Sequence, residues 1–174
     1  MRGVSGVAAC QESRCSRSRG PPREECALNL AGAEARRRLG AVPIARLATV
    51  SWVDSAPRPH IVPVTFAMDG DRIFSAVDAK PKRTRQLQRL RNIQASPWVA
   101  VLADHYAADW TQLWWVRADG RAVILDDPAQ MAAPLRLLTG RYPQYRDNPP
   151  AGPVVSILVE RWTGWAASTS PMSP

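Results

Sequence analysis

The 174-residue chain has no apolar run approaching the ~20 residues that a membrane-crossing helix needs. Its first residues include basic side chains but no continuous apolar segment of signal-peptide type, so a cytoplasmic setting is expected. Cysteine is scarce: Cys10, Cys15 and Cys26 are the only three, and all precede residue 28. Their number is odd and no histidine stands near them, which argues against both a disulfide framework and a zinc site. Histidine is scarcer still, with only His60 and His105. No Ser-His-Asp or Cys-His set can be assembled from these residues, so the side chains alone offer no nucleophilic catalyst. Large apolar residues are nearly missing from residues 1–28, which are rich in Ser, Arg, Gly and Pro. Such a segment cannot offset its ordering entropy by burial, and a disordered tail is expected there.

Acidic residues are absent from one more place, and there the absence points to a site. Residues 80–91, KPKRTRQLQRLR, carry six basic side chains and no acid. Of the net charge of +8, the first forty residues hold +4, this stretch holds +6, and the remainder sums to −2. The globular part is therefore not basic all over. A nucleic-acid binder spreads its cations over a face long enough to follow several phosphates, so one focused cluster suits a small phosphorylated ligand better. The stretch directly follows a β-type run, Ile73 to Asp78, and reads as a strand leading into a helix start. Free N–H groups, the helix dipole and adjacent Lys or Arg all favour an anion at such a place. The plainer reading, the solvated face of a helix packed through Leu87, Leu90 and Ile93, stays open beside it.

The rest of the chain, residues 29–168, reads as one domain, with a short tail over 169–174. Asn29 is expected to cap a short helix ending near Gly40. Seven runs then have strand character: Ala45 to Trp52, Pro59 to Phe66, Arg72 to Asp78, Trp98 to Ala103, Leu113 to Ala118, Arg121 to Leu125, and Val154 to Arg161. Asp69-Gly70 and Asp119-Gly120 each lie between two such runs and predict hairpins. Asp127 and Pro128 open a further helix, which Pro134 is expected to kink or divide. Many short strands with few helices define a mainly β fold, a small antiparallel barrel, closed or nearly so. Pro63 is the oddity of the second strand, because it has no N–H to give to a ladder. That strand is either an ordinary protected edge or a free margin on which a flat ring can lie.

In their order and spacing, several stretches resemble the pyridoxamine 5′-phosphate oxidase-like split β-barrel superfamily, which binds FMN or the deazaflavin coenzyme F420. They are ARLATVSW at 45–52, RPHIVPVTFAMDGDRIFSAVDAKPKRTRQLQRLRNIQASPWVAVLADHY at 58–106, LWWVRADGRA at 113–122, RYPQY at 141–145 and ERWTGW at 160–165. Within the superfamily the resemblance is greatest to the actinobacterial branch of F420-dependent enzymes. It implies an antiparallel split barrel of the FMN-binding type, forming a homodimer with two cofactor sites at the interface, each lined by both subunits. Carried over, the family's basic pair falls on Lys82 and Arg83, with Thr84 adding a hydroxyl and Lys80 a further charge, to hold the cofactor's phosphate. Ser75, Ala76 and Val77 would lie beside the ring system, and Val62, Pro63 and Val64 would offer backbone groups to its polar edge. A Gln-Val-Arg triplet of the family becomes Trp115-Val116-Arg117 here, so Arg117 keeps its place while an indole replaces the amide. That departure puts oxidation of pyridoxamine phosphate itself in doubt.

The resemblance thus implies an F420-dependent oxidoreductase passing a hydride between the deazaflavin and a small organic acceptor. An FMN-dependent oxidoreductase or oxidase, or a cofactor- or haem-binding split barrel without turnover, are the alternatives within the fold; an OB-like nucleic-acid module lies outside it. No nucleic acid and no membrane are expected as partners. Three further residues remain open between site and scaffold. Trp162 and Trp165 fall where the family often closes its site, but are equally good core material. His60 alternates with Val62 and Val64, either as a cofactor-side polar group or, the reading preferred here, as a satisfied barrel histidine. His105 lies at a strand end, where a hydrogen bond to a neighbour would account for it.

Overall fold

The computed structural model describes residues 28–77 and 87–168. Strand β1 (Leu28–Asn29) and helix α1 (Gly32–Ala41) precede β2 (Ala45–Val53), β3 (Ala56–Val64), β4 (Ala67–Asp69) and β5 (Arg72–Ala76). Helix α2 (Gln88–Ala95), β6 (Trp98–His105), β7 (Trp114–Leu125), α3 (Pro128–Arg141), α4 (Gln144–Asp147) and β8 (Val154–Ala166) complete it. The strands form one antiparallel eight-stranded sheet in the order β3-β2-β6-β7-β8-β5-β4, with β1 added beside β8. Period-two burial marks which side is the interior: Val99, Val101 and Ala103 of β6 face in, as do Trp114, Val116 and Ala118 of β7. Leu47, Val64, Phe66, Ile73 and Ile157 meet them in the core, which Leu39 of α1 and Ile93 of α2 complete. A second cluster, with Phe74, Leu138, Tyr145 and Val154, packs α3 and α4 onto the β4, β5 and β8 side.

The Asp69-Gly70 turn is the hairpin its sequence announces, with Gly70 at φ 56° between β4 and β5. Asp119-Gly120 is not a hairpin. Residues 114–125 run as one strand, and the pairing with β8 shifts register between Asp119 and Gly120, leaving Glu160 as the extra residue of a bulge. The glycine is needed there for contact rather than for turning. A Cβ at Gly120 would lie 2.1 Å from the Leu158 carbonyl oxygen.

Three smaller expectations also need correction. Asn29 does not cap α1: it pairs with Trp165 in the sheet, and Ala31 precedes the helix without a side-chain cap. What steadies α1 is Glu34 in its first turn, bonded to Arg37 and to the buried Arg38. The Arg37 guanidinium, with Arg38, holds the Glu34 carboxyl down at about 2 against the opposing effect of burial. Pro134 does not divide α3, which runs unbroken from Pro128 to Arg141 behind the Asp127 cap. Finally, Leu87 does not belong to the buried stripe of the basic helix. Leu87 is extended and α2 begins at Gln88. The tail over 1–28, apart from Leu28 in β1, lies outside the described residues, as does the tail over 169–174.

Gly120→Ala is expected to destabilise the protein by roughly 2 kcal/mol or more, because backbone must move to admit the methyl group. A urea midpoint within error of the wild type would contradict the close approach.

Candidate functional site

The sheet does not close on itself, and the place where it opens is set by the β3–β4–β5 segment. β3 pairs only with β2, along its whole length from Ala56 to Val64. β4 pairs with β5 only as far as Ala67 opposite Phe74. Beyond that point Ser75 and Ala76 pair with Val155 and Val154 of β8 alone. The two arms therefore diverge from the Thr65-Phe66 link, one toward β2 and the other toward β8, and each presents a margin without a strand beside it. Val62, Pro63 and Val64 lie on one arm, and Ser75, Ala76 and Val77 follow on the other. Pro63 is exposed on that edge opposite Arg46, so the residue that cannot donate sits where no ladder asks for it.

Neither arm is loose. Val77 is held by backbone bonds to the 152–153 loop, donating to Pro153 O at 3.1 Å and accepting from Gly152 N at 3.3 Å. Gly152 permits that approach, since a Cβ there would come within 2.8 Å of Val77. The link between the arms is fastened by two tyrosines from the α3–α4 corner. Tyr142 Oη accepts from Phe66 N at 3.0 Å and lies 2.7 Å and 2.8 Å from the carbonyls of Pro43 and Phe66. Tyr145 Oη pairs with Thr65 Oγ1 at 2.7 Å, and the two rings meet edge to face. In the sequence, RYPQY marks these tyrosines only through the resemblance. Nothing in its pattern shows that they reach back some 76 residues to the site's hinge.

The remaining candidates fall elsewhere. Lys80, Lys82, Arg83 and Thr84 lie outside the described residues, within the segment that leaves Val77 and returns at Leu87. Trp115 and Arg117 stand on the outer face of β7, three strands from β3 and two from β5, so one chain does not bring them to its own opening. Arg117 donates to Asp119 at 3.2 Å, and Asp119 also holds Arg161. Trp165 is half-buried opposite Trp115. Trp162 is held within its own chain: its indole N–H donates to Asp71 Oδ1 at 2.8 Å, with the Arg36 guanidinium over its ring and bonded to the same carboxylate. The indole bond, with Arg36, holds the Asp71 carboxyl below the usual carboxylate range. His105 stacks on Trp114, with centroids 6.4 Å apart, and its ring has no hydrogen-bond partner among the described residues. His60 has one, Thr49, at 3.3 Å from its Nδ1. Among the described residues no cluster of His, Cys, Asp and Glu able to hold a metal exists, and no helix is long and apolar enough to cross a membrane.

A mainly antiparallel barrel that parts between two strand margins is a split β-barrel. Residues 31–167 match the model of the pyridoxamine 5′-phosphate oxidase family, and the chain belongs to that family. Solved structures share the fold at low identity. An FAD-binding protein of Mesorhizobium loti is 21% identical with a TM-score of 0.62, over 83% of this chain and 100% of that one. A conserved protein of Mycobacterium tuberculosis is 20% identical with a TM-score of 0.62, over 83% and 92%. A flavocytochrome of Azotobacter vinelandii is 15% identical with a TM-score of 0.59, over 84% and 72%. No curated protein matches the chain.

Tyr142→Phe is expected to cost about 1–3 kcal/mol, because it strands the buried Phe66 N–H. Amide exchange at Phe66 should rise more than at Val101 in the far wall; equal changes at both would show that the hydroxyl does not fasten the hinge.

Proposed function

We propose that the chain is an oxidoreductase that binds reduced coenzyme F420 in the opening between β3 and β5 and transfers a hydride to a small organic acceptor. The observation that carries the reading is the pair of strand margins diverging from the Thr65-Phe66 link, with the cationic segment beginning just past Val77. A flat ring with a polar edge fits such a bed: the margins of Val62–Val64 and of Ser75–Ala76 each have one side without a neighbouring strand, and Val77, bonded to the 152–153 loop, fixes the end of the second. A phosphate fits the residues beyond them, Lys80, Lys82, Arg83 and Thr84. When bound, the deazaflavin supplies the hydride chemistry; the protein's residues bind it, orient it and exclude water.

FMN is the second reading, favoured by the similarity in fold to FAD-binding and flavocytochrome proteins. Arg85, Arg89 and Arg91 would favour F420 instead where they face the groove, because its side chain is longer and acidic. Titration of the purified protein with reduced F420 and with FMN, followed by fluorescence, separates the two. Lys82→Ala with Arg83→Ala should weaken binding about tenfold or more, by loss of charge-assisted bonds to phosphate. Unchanged binding in that double variant would remove the phosphate site. Saturable binding without reduction of any acceptor would leave a carrier, and a Soret band on adding haem would favour the haem-binding alternative.

The homodimer is part of the same proposal. The outer face of β3, β2 and β6 carries Ile61 at 64% exposure, Leu102 and Trp98, an apolar surface flanked by the Arg46–Asp104 pair. A second copy of the chain seated there would bring its Trp115 and Arg117 toward the opening that one chain leaves without them. Ile61→Glu with Leu102→Glu is expected to give monomers in sedimentation and to lower cofactor affinity together; a dimer that survives both changes places the interface elsewhere.

A further inference from the structure

A line of polar side chains crosses the otherwise apolar interior between α2 and the edge strand. It starts at Gln88, the first residue of α2, whose Nε2 donates to Asn92 Oδ1 at 2.8 Å. Asn92, 2% exposed, donates from Nδ2 to Thr49 Oγ1 at 2.9 Å. Thr49, 3% exposed on the inner face of β2, lies directly opposite His60 in the β2–β3 pairing. Its Oγ1 is 3.3 Å from His60 Nδ1 and 3.4 Å from the His60 carbonyl. The same Gln88 and Asn92 line a cleft of about 450 Å³, with Ser51, Trp52, Val53, Arg91 and Ala95, so the far end of the line is open to solvent.

The line has a direction, and it ends at the Thr49 hydroxyl, which faces both Nδ1 and the carbonyl of His60. Gln88 stands at the helix N-terminus just after the cationic segment, where the positive end of the helix favours its carbonyl oxygen and turns its NH₂ inward to Asn92. Asn92 then gives a proton to Thr49, whose hydroxyl already accepts and has its own proton to offer. That proton has two acceptors in reach on His60, the carbonyl at 3.4 Å and Nδ1 at 3.3 Å, and can go to only one of them. An imidazole that accepts at Nδ1 carries its proton on Nε2.

We propose that the Thr49 hydroxyl donates to His60 Nδ1, so that Thr49 and Asn92 act as positioning residues that keep a ring proton on Nε2 and His60 presents a fixed N–H donor to a carbonyl or phosphate oxygen of the ligand lying along β3. This rests on the proposed function for the ligand, but not for the tautomer. His60 shares the inner side of β3 with Val62 and Val64, whose strand forms one margin of the opening, and it is half-buried rather than sealed in. A lone barrel histidine needs one partner. Here three side chains, two of them almost fully buried, are spent on orienting it, and the orientation leaves the other ring nitrogen free to donate. The line also ties the first turn of α2 to the edge strand β3.

The test reads the tautomer directly. With only two histidines in the chain, long-range ¹H–¹⁵N spectra at about pH 8.5, where imidazole is neutral, resolve His60, and His105→Gln assigns it. The expected wild-type pattern is Nε2–H. Thr49→Val should turn it into a mixture of tautomers and raise the F420 or FMN dissociation constant roughly fivefold to tenfold, and Thr49→Ser should restore both. A wild-type proton on Nδ1, or a Thr49→Val spectrum unchanged from wild type, overturns the proposal. If Thr49→Val does not fold, the wild-type and Thr49→Ser spectra decide it. A displaced tautomer with unaltered cofactor affinity overturns the donor role. Should neither cofactor bind the wild type, the functional reading fails while the tautomer assignment still stands or falls on its own spectrum.

Discussion

The long pairing of β7 with β8 is the constraint on which the other features depend. It runs from Trp114 opposite Ala166 to Leu125 opposite Val154, and the bulge at Glu160 divides it. On one side of the bulge β7 is shared with β6, through which the sheet reaches β2 and β3. On the other side β8 is shared with β5, through which it reaches β4. The bulge therefore lies within two residues of where the barrel changes partners, since Gly120 and Arg121 still pair with β6, and Gly120 lets the β7 and β8 backbones come close there. Asp71 adds to the junction from both its groups. Its carbonyl accepts from Val159 N at 2.9 Å, and its carboxylate gathers Trp162 and Arg36. With β8 committed to β5 and β2 committed to β3, the β3–β4–β5 segment has no means of closing the sheet.

The opening is a consequence of topology rather than a gap left by weak packing. At the hinge Phe66 is wholly enclosed and Thr65 half-buried. The backbone groups of Phe66 go to Tyr142, a side chain, because no strand is there to take them. Backbone margins that are rigid, polar and unshared are a suitable bed for a planar ligand, since binding there costs little ordering. The same margins would otherwise invite another strand. Three prolines in β3, Pro57, Pro59 and Pro63, make that strand a poor template for one.

Much of this was legible in the sequence, and the parts that were not share a physical cause. Strand existence, the Asp69-Gly70 hairpin and the edge character announced by Pro63 are local properties, written in alternation and in residues with special backbone demands. Asp119-Gly120 carried the same local signal and meant something else. Its glycine answers to the Leu158 carbonyl nearly forty residues away, and no window around it contains that neighbour. Asn29 failed as a cap for a similar reason: the sheet partner Trp165 had the stronger claim on it. The margins of the site were readable as motifs, but Tyr142, Tyr145, Thr49 and Asn92 were not, because each acts on a residue distant in sequence and near only in the fold.

The separation of the site's parts bears on how such a chain divides its work. The residues of the two margins, Val62 to Val64 and Ser75 to Val77, would serve a bound ring through their backbone, since their side chains are apolar apart from the buried Ser75. Arg117 is engaged by Asp119, which is in turn shared with Arg161. A carboxylate held by two guanidiniums is a poor competitor for either against a doubly charged phosphate or an acidic side chain, since giving up one partner leaves it the other. The outer face of β7 therefore keeps Arg117 oriented and available at once. An interface formed over that face would release the arginine to whatever anion the neighbouring opening holds, and Asp119 would remain neutralised by Arg161. On this view the bulge that fixes the sheet also sets the spacing of that charge pair, because Asp119 and Arg161 are the last residues in register before Glu160 interrupts it.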